Sequence, residues 1–342
     1  MLEASLALLL AVHLLLVDVA MAGPLYCVWL DWRHRRRGDA AADVAGLALA
    51  RLTNWALTGG IVLGFVLLAA RWHSGEGRYA TALAAIPRSR LWFGGAELLF
   101  FFACMGLYVA FWNRWRRWRP LHALLAVAAA TNLLLHFPAL FAIISILETR
   151  PEMIGQTLDR AGYQRMLLDG EVMARVFHVW FSSAAVSGVV LMQLGLRLRR
   201  EEALQSGAAW LIRWGAVAAL AATALQIPSG FWLTLKLPES ARTPLLGGDL
   251  LATALFGLSV VVALALMHLL AGVALGNDSP REIRRALVAL AALVILMVGT
   301  RCRIDARARR VMVAQMATQN TIEITPDPAA ARDLQLVGAA FQ

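Results

Sequence analysis

Charge is scarce in this chain. Only 16% of its 342 residues are Asp, Glu, Lys or Arg, while 60% are hydrophobic. A soluble chain is closer to a quarter charged and half apolar, so a soluble globular fold is excluded. Lysine is almost missing, with Lys236 the only one among 32 basic residues. Three cysteines, Cys27, Cys104 and Cys302, are too few for a disulfide framework,. No C-x-x-C-H motif is present, which excludes a covalently attached haem c. No G-x-x-x-x-G-K-[ST] or G-x-G-x-x-G loop is present, which removes the nucleotide-binding folds those loops mark. A net charge of +10 can signal nucleic acid. Here the arginines cluster at the ends of apolar runs, where they read as contacts to the inner leaflet, so no nucleic-acid partner is expected.

What the chain has is long apolar runs. A span of hydrocarbon needs about 20 mostly apolar residues. Eight stretches qualify, at roughly 4–30, 47–71, 91–113, 121–147, 174–196, 208–234, 249–275 and 284–300,. The expected fold is an all-α, polytopic helix bundle in a lipid membrane. Ala20-Met21-Ala22 resembles a signal-peptidase site. No positive n-region precedes it, Glu3 is acidic and apolarity continues to Leu30, so a retained first span is expected,. Arg33, Arg35, Arg36 and Arg37, then Arg114, Arg116, Arg117 and Arg119, then Arg197, Arg199 and Arg200, then Arg281, Arg284 and Arg285 all fall on one side if the N-terminus is outside,. Five arginines from Arg301 to Arg310 break that pattern and fall outside.

The chain divides into a five-span bundle over 1–200, three further spans over 201–300 and an extended polar tail over 301–342. That tail is too short to bury a core of its own and is expected to be disordered or docked on a partner. Within 148–173, Met153, Ile154, Leu158, Tyr163, Met166 and Leu167 alternate with charges and suggest a short interfacial helix,.

Few ionisable residues lie inside the spans: His13, Asp18, Glu97, His136, His178 and His268. At 1.5 Å per residue, His178 lies roughly 6 Å from the outer end of its span, Glu97 about 9 Å, His13 about 13 Å and His136 about 16 Å. Four groups on four spans therefore share the outer half of the membrane. Polar groups in hydrocarbon are costly and usually functional. His178 is followed by Ser182, Ser183, Ala184, Ala185, Ser187 and Gly188, small residues that admit a neighbouring backbone or a flat cofactor,. Haem iron needs an axial nitrogen or sulfur ligand, and His178 and His13 suit that role. The alternative for each is a buried packing histidine. Glu97, after Gly94 and Gly95, reads as a proton-relay acid or as a carboxylic acid kept neutral by burial. His136 precedes Phe137-Pro138, where a kink frees a carbonyl, so ligation and a backbone hydrogen bond are both open. Asp18 must be protonated, paired or hydrated. His34, His73 and His122, at helix ends or in loops, carry no special signal, and His268 reads as interfacial or structural.

Three segments in order resemble subunit I of the cytochrome bd quinol oxidase family. HLLLVDVAMAGPLYCVWLDW is similar to the family's first helix, WFGGAELLFFFACMGLYVAFWNRW to its third and RVFHVWFSSAAVSGVVLMQLGL to its fifth. The resemblance covers about residues 1–200, the haem-binding half of that subunit. It implies a high-spin haem near His13, an acid at Glu97 and haem b on His178. It also implies a subunit II-like partner and a place in the bacterial inner (cytoplasmic) membrane.

The sequence also departs from the family. Leu255 stands about where the family's low-spin haem takes a methionine, and Met105 where a second glutamate would fall. The long outer quinol loop is absent, and the chain has eight spans, not nine. The expectation is a haem b-binding subunit of a respiratory electron-transfer complex, with His13 and His178 as iron ligands, His136 as a further cofactor contact and Glu97 and Asp18 as catalytic acids. Without the quinol loop, it would exchange electrons with a c-type cytochrome or another redox protein on the outer face, along the basic residues after Arg301. The rival readings are a working terminal oxidase reducing oxygen and a haem-free membrane anchor.

Overall fold

In hydrocarbon every backbone N–H and C=O must find a partner within the chain, which forces long apolar runs into helices. A computed structural model describes residues 2–73, 77–114, 118–149 and 156–324. Its helices are α1 (Leu2–Arg37), α2 (Ala40–His73), α3 (Arg78–Ala85), α4 (Arg88–Ala110), α5 (Arg119–Thr149), α6 (Arg160–Leu167), α7 (Gly170–Leu198), α8 (Gln205–Lys236), α9 (Glu239–Thr243), α10 (Leu250–Ala274) and α11 (Pro280–Ile324). No strand occurs among the described residues. Eight helices, α1, α2, α4, α5, α7, α8, α10 and α11, are long and apolar enough to cross a membrane. The expected all-α polytopic bundle is therefore what the chain forms.

The arginine clusters meet at one end of the bundle. There Arg33 Nε donates to Asp39 at 2.7 Å, Arg35 pairs with Asp31 and Arg199 pairs with Asp278. Arg116 and Arg117 lie outside the described residues. His122, which looked unremarkable in the sequence, is only 1% exposed at this end. Its ring stacks on Tyr108 at 3.9 Å, and Nε2–H donates to the Tyr108 carbonyl at 2.9 Å, which fastens α5 to α4. Trp112 Nε1 donates to Asp43 at 3.0 Å and ties α2 to the segment just past α4.

The interhelix core is built on small residues. Between α7 and α8, a Cβ at Gly188 would sit 2.8 Å from the Gly215 carbonyl oxygen, and one at Gly215 would sit 2.6 Å from that of Gly188. Such close approach raises dispersion contact where no hydrophobic drive separates helix from lipid. Of the small residues after His178, Gly188 is thus used by a neighbouring backbone, not by a cofactor plane. His268 is exposed on α10.

At the other end, taken as outer, the connections are short. The interfacial helix expected within 148–173 is present as α6. Asp159 caps it by accepting from Gly162 N, and Tyr163 is buried. Met153 and Ile154 lie outside the described residues. The connection after α8 folds into α9 and a tight turn in which Gly247 takes φ +111, a left-handed value suited to glycine,. No long loop stands there.

The stretch expected to leave the membrane as an extended tail instead continues as helix to Ile324. Extending a formed helix needs no new nucleus, and α11 is also anchored. Arg303 Nη2 and Arg307 Nη1 reach Asp249 Oδ2 at 3.1 and 2.8 Å. Asp249 also caps α10 through Ala252 N. Two cations of the expected docking edge are therefore already paired within the chain. Residues 325–342, with Pro326 and Pro328, lie outside the described residues.

Two tests arise here. The Ala252 N–H, then Arg303 and Arg307, hold the Asp249 carboxyl well below the usual carboxylate range. A depressed carboxylate stabilises the folded state above its unfolded pKa of about 4, and that contribution is lost as pH falls toward the folded value. Asp249→Asn is expected to speed amide exchange over 301–307 at pH 7, with the gap from wild type closing in acid. Equal protection at pH 7 would show that the clamp does not hold α11. The second test is orientation. Cys302 is half-buried near the end of the last span, whereas Cys27 and Cys104 are buried. An impermeant thiol reagent should label Cys302 from the outer side; labelling from the inner side alone reverses the topology.

Candidate functional site

His13 lies on α1 against α2. Its Nδ1 is 2.8 Å from the Gly60 carbonyl oxygen. A carbonyl only accepts, so Nδ1 carries the proton and Nε2 keeps its lone pair. Gly64 leaves room for the ring, since a Cβ there would sit 3.2 Å from His13 Cε1.

His178 lies on α7 against α8 and repeats this arrangement. Its Nδ1 is 3.1 Å from Ser229 Oγ. Ser229 is buried, and its own hydroxyl donates to the Gln226 carbonyl at 3.0 Å. With that proton committed, Ser229 Oγ accepts from His178 Nδ1–H, and Nε2 again keeps the lone pair. Gly230 faces the same ring, a Cβ there standing 3.6 Å from Cε1. Above His178, Arg175 bonds Glu171 Oε1 at 2.5 Å through Nη2 and Ser145 Oγ at 3.2 Å through Nη1.

Asp18 joins these two halves. It is buried and accepts from Ser182 Oγ at 2.9 Å and Ser183 Oγ at 2.8 Å. The contact holds parallel helices α1 and α7 in register. His13 is five residues before Asp18, and His178 is four and five before the two serines. Both histidines therefore lie about 6–7.5 Å above the contact, at one depth.

Glu97 and His136 form a separate pair between α4 and α5. Glu97 is buried, and its Oε1 lies 2.7 Å from His136 Nδ1. The approach is out of line, and Glu97 Oε1 makes no hydrogen bond in the structure. His136 Nδ1–H is directed instead to the carbonyl of Asn132 at 3.2 Å. Asn132 Nδ2 in turn donates to the Glu97 carbonyl at 2.8 Å. The carbonyl freed by Pro138, that of Leu134, accepts from Trp180 Nε1 at 2.7 Å. The His136 side chain is 45% exposed and packs edge-on against Phe93. It thus faces the α4 side, while His178 faces α8. Met105 is fully buried in the core.

Sequence reasoning missed Ser229, Gly60, Gly64 and Asn132, which orient the histidines and Glu97. Only Pro228-Ser229-Gly230, an irregular triplet inside an apolar span, offered a local signal.

No group of three or more His, Cys, Asp or Glu side chains converges among the described residues. The donor set does suit a haem, whose iron asks one imidazole of a helix, with the other ring nitrogen donating to a carbonyl or hydroxyl. His13 and His178 both meet that requirement.

No family model matches the chain. No curated protein matches it either. Among solved structures, the bd oxidase from Geobacillus thermodenitrificans is similar, with a TM-score of 0.66 and 14% identity over 90% of this chain and 87% of that chain. At that identity the likeness concerns architecture: this chain has a cytochrome bd-like fold.

Proposed function

We propose that this chain is a haem b-binding subunit of a bd oxidase-like respiratory complex in a bacterial inner membrane, with His178 and His13 as iron ligands. The observation that carries the reading is the shared geometry of the two rings. Each gives Nδ1–H to an acceptor on the adjacent helix and keeps the Nε2 lone pair, at one depth in the bundle. A bound haem supplies one-electron transfer. His178 and His13 would each hold one, with Ser229 and the Gly60 carbonyl setting the tautomers of the two rings. A high-spin haem belongs on the His13 side. Asp18 and the Glu97–His136 pair supply carboxylates and an imidazole inside hydrocarbon, able to hold a proton at Asp18 Oδ2, Glu97 Oε1 or His136 Nδ1. Those acids favour oxygen reduction as the second reading, with protons delivered to a reacting centre. A subunit II-like partner and a c-type cytochrome or other redox protein on the outer face complete the assembly. With only a short helix and a tight turn between α8 and α10, quinol is expected to reduce the chain poorly.

A reduced-minus-oxidised spectrum of the purified chain tests the proposal. A haem b difference band is expected. A flat spectrum after expression with haem in excess would leave a membrane anchor. Oxygen uptake by the assembled complex then separates an oxidase from an electron carrier.

A further inference from the structure

We propose that Ser229 is a positioning residue for His178, fixing its tautomer and setting its strength as a donor to haem iron. The inference rests on the haem reading above and deepens it, giving the Ser229 contact a measurable effect on the iron.

An imidazole can carry its single proton on either nitrogen, and only the unprotonated one can bind iron. A ring free to choose would hold the proton on Nε2 part of the time and lose its ligand in that state. Ser229 removes the choice. Its hydroxyl proton points to the Gln226 carbonyl 3.0 Å away, so Oγ presents lone pairs to His178 Nδ1 at 3.1 Å. His178 Nδ1–H donates to Ser229 Oγ, Ser229 Oγ–H donates to Gln226 O, and the Gln226 carbonyl also stands beside the His178 ring as an acceptor.

The local backbone supports the arrangement. Pro228 lies inside α8 just before Ser229. A proline within a helix bends it and frees a carbonyl one turn earlier. Gly230, next in sequence, faces the ring, where an added Cβ would make ordinary contact at 3.6 Å from Cε1. Ser229 is buried, so water does not replace its oxygen freely. The acceptor at His13 is a backbone carbonyl, which no substitution at Gly60 removes. At His178 the Ser229 side chain accepts beside the Gln226 carbonyl, so substitution at 229 weakens the acceptor set without emptying it.

An acceptor on Nδ1–H pushes electron density toward Nε2. That density stabilises ferric iron over ferrous and lowers the midpoint potential. Weakening the acceptor should therefore raise the potential and loosen the haem. The test is a series at position 229 in the full chain: Thr keeps the hydroxyl, Cys keeps the volume with a weak acceptor, and Ala removes the hydroxyl and leaves the Gln226 carbonyl alone beside the ring. Midpoint potentials are expected to rise in the order Ser and Thr, then Cys, then Ala. Haem retention in Ser229→Ala should fall about 10- to 100-fold, the usual cost of losing such a partner. If ferric affinity falls tenfold more than ferrous affinity, the potential rises by about 59 mV. Packing damage would not give that order, because Thr overfills the site and would stand apart from Ser.

Equal potentials across Ser, Cys and Ala, with His178 still required for haem, would overturn the role of Ser229 and leave the haem reading intact. Should Ser229→Ala fail to fold, the Cys and Thr variants decide the matter: Cys above Thr supports it, and Cys equal to Thr overturns it. Full haem content in His178→Ala would overturn both.

Discussion

His178→Ala is expected to insert normally and to lose the haem b band of that site almost completely. A haem held by the His178 imidazole would lose its link to α7 with that ring, and neither Met192 nor His136 is placed to replace it. Met192, about four turns along α7, is fully buried in the contact with α8. Leu255 offers no donor atom. His136 faces Phe93 and Glu97 across α4, so His136→Ala should leave the band in place. His13→Ala should remove a different haem signal, because its ring packs on α2 at Gly60 and Gly64. Dithionite difference spectra on variants matched for protein content read all three. A full b band in His178→Ala would return the residue to ordinary packing.

The second large effect is steric. Gly215→Val is expected to separate α7 from α8 and to take the His178 environment with it. Even the first carbon of a side chain at 215 would lie 2.6 Å from the Gly188 carbonyl oxygen and 2.9 Å from Met192 N. Both are backbone atoms of a helix, which cannot turn aside as a side chain can. Overpacking of this kind costs about 1–3 kcal/mol even where the neighbours are flexible. The variant should lose monodispersity in detergent at a lower temperature than wild type, by several degrees or more. The Nδ1 contact of His178 with Ser229, three turns further along the α7–α8 pair, should loosen with it. Thermal behaviour identical to wild type would mean that α7 and α8 do not approach as closely as described.

The spans were legible because each carries a run of apolar residues long enough for hydrocarbon, and lipid allows such a run only one backbone solution. Their ends were less so. The apolar run near 284–300 gives no hint that α11 continues to Ile324, because Arg303 and Arg307 look like solvated charge until Asp249 is brought beside them. The ionisable residues were legible as outliers, and the pairing of α1 with α7 was not. Asp18 signals a partner without saying which, and Ser182 and Ser183 are among many small residues that could have supplied it. Glu97 and His136 stood out separately, yet nothing in the spacing says that they lie 2.7 Å apart. Ser229 and Asn132 were invisible for a related reason. A serine or asparagine in a span is ordinary, and its role depends on which ring or carbonyl the neighbouring helix presents.

The Asp18 contact also has a history within the life of each molecule. The serines that hold this carboxylate are separated from it by 164 and 165 residues of chain. At about 5–20 residues per second, a ribosome needs on the order of 10–30 s to make that length. For that interval the first helix exists and its natural partner does not. A bare carboxylate cannot wait in lipid at low cost, so α1 must rest protonated, at the edge of the insertion machinery or against a chaperone until the fifth span arrives. Asp18→Asn would shorten no contact in the finished protein but would release α1 into the bilayer early, and a ribosome-stalled series cut before and after Ser183 would show the difference as a change in how readily α1 cross-links to lipid.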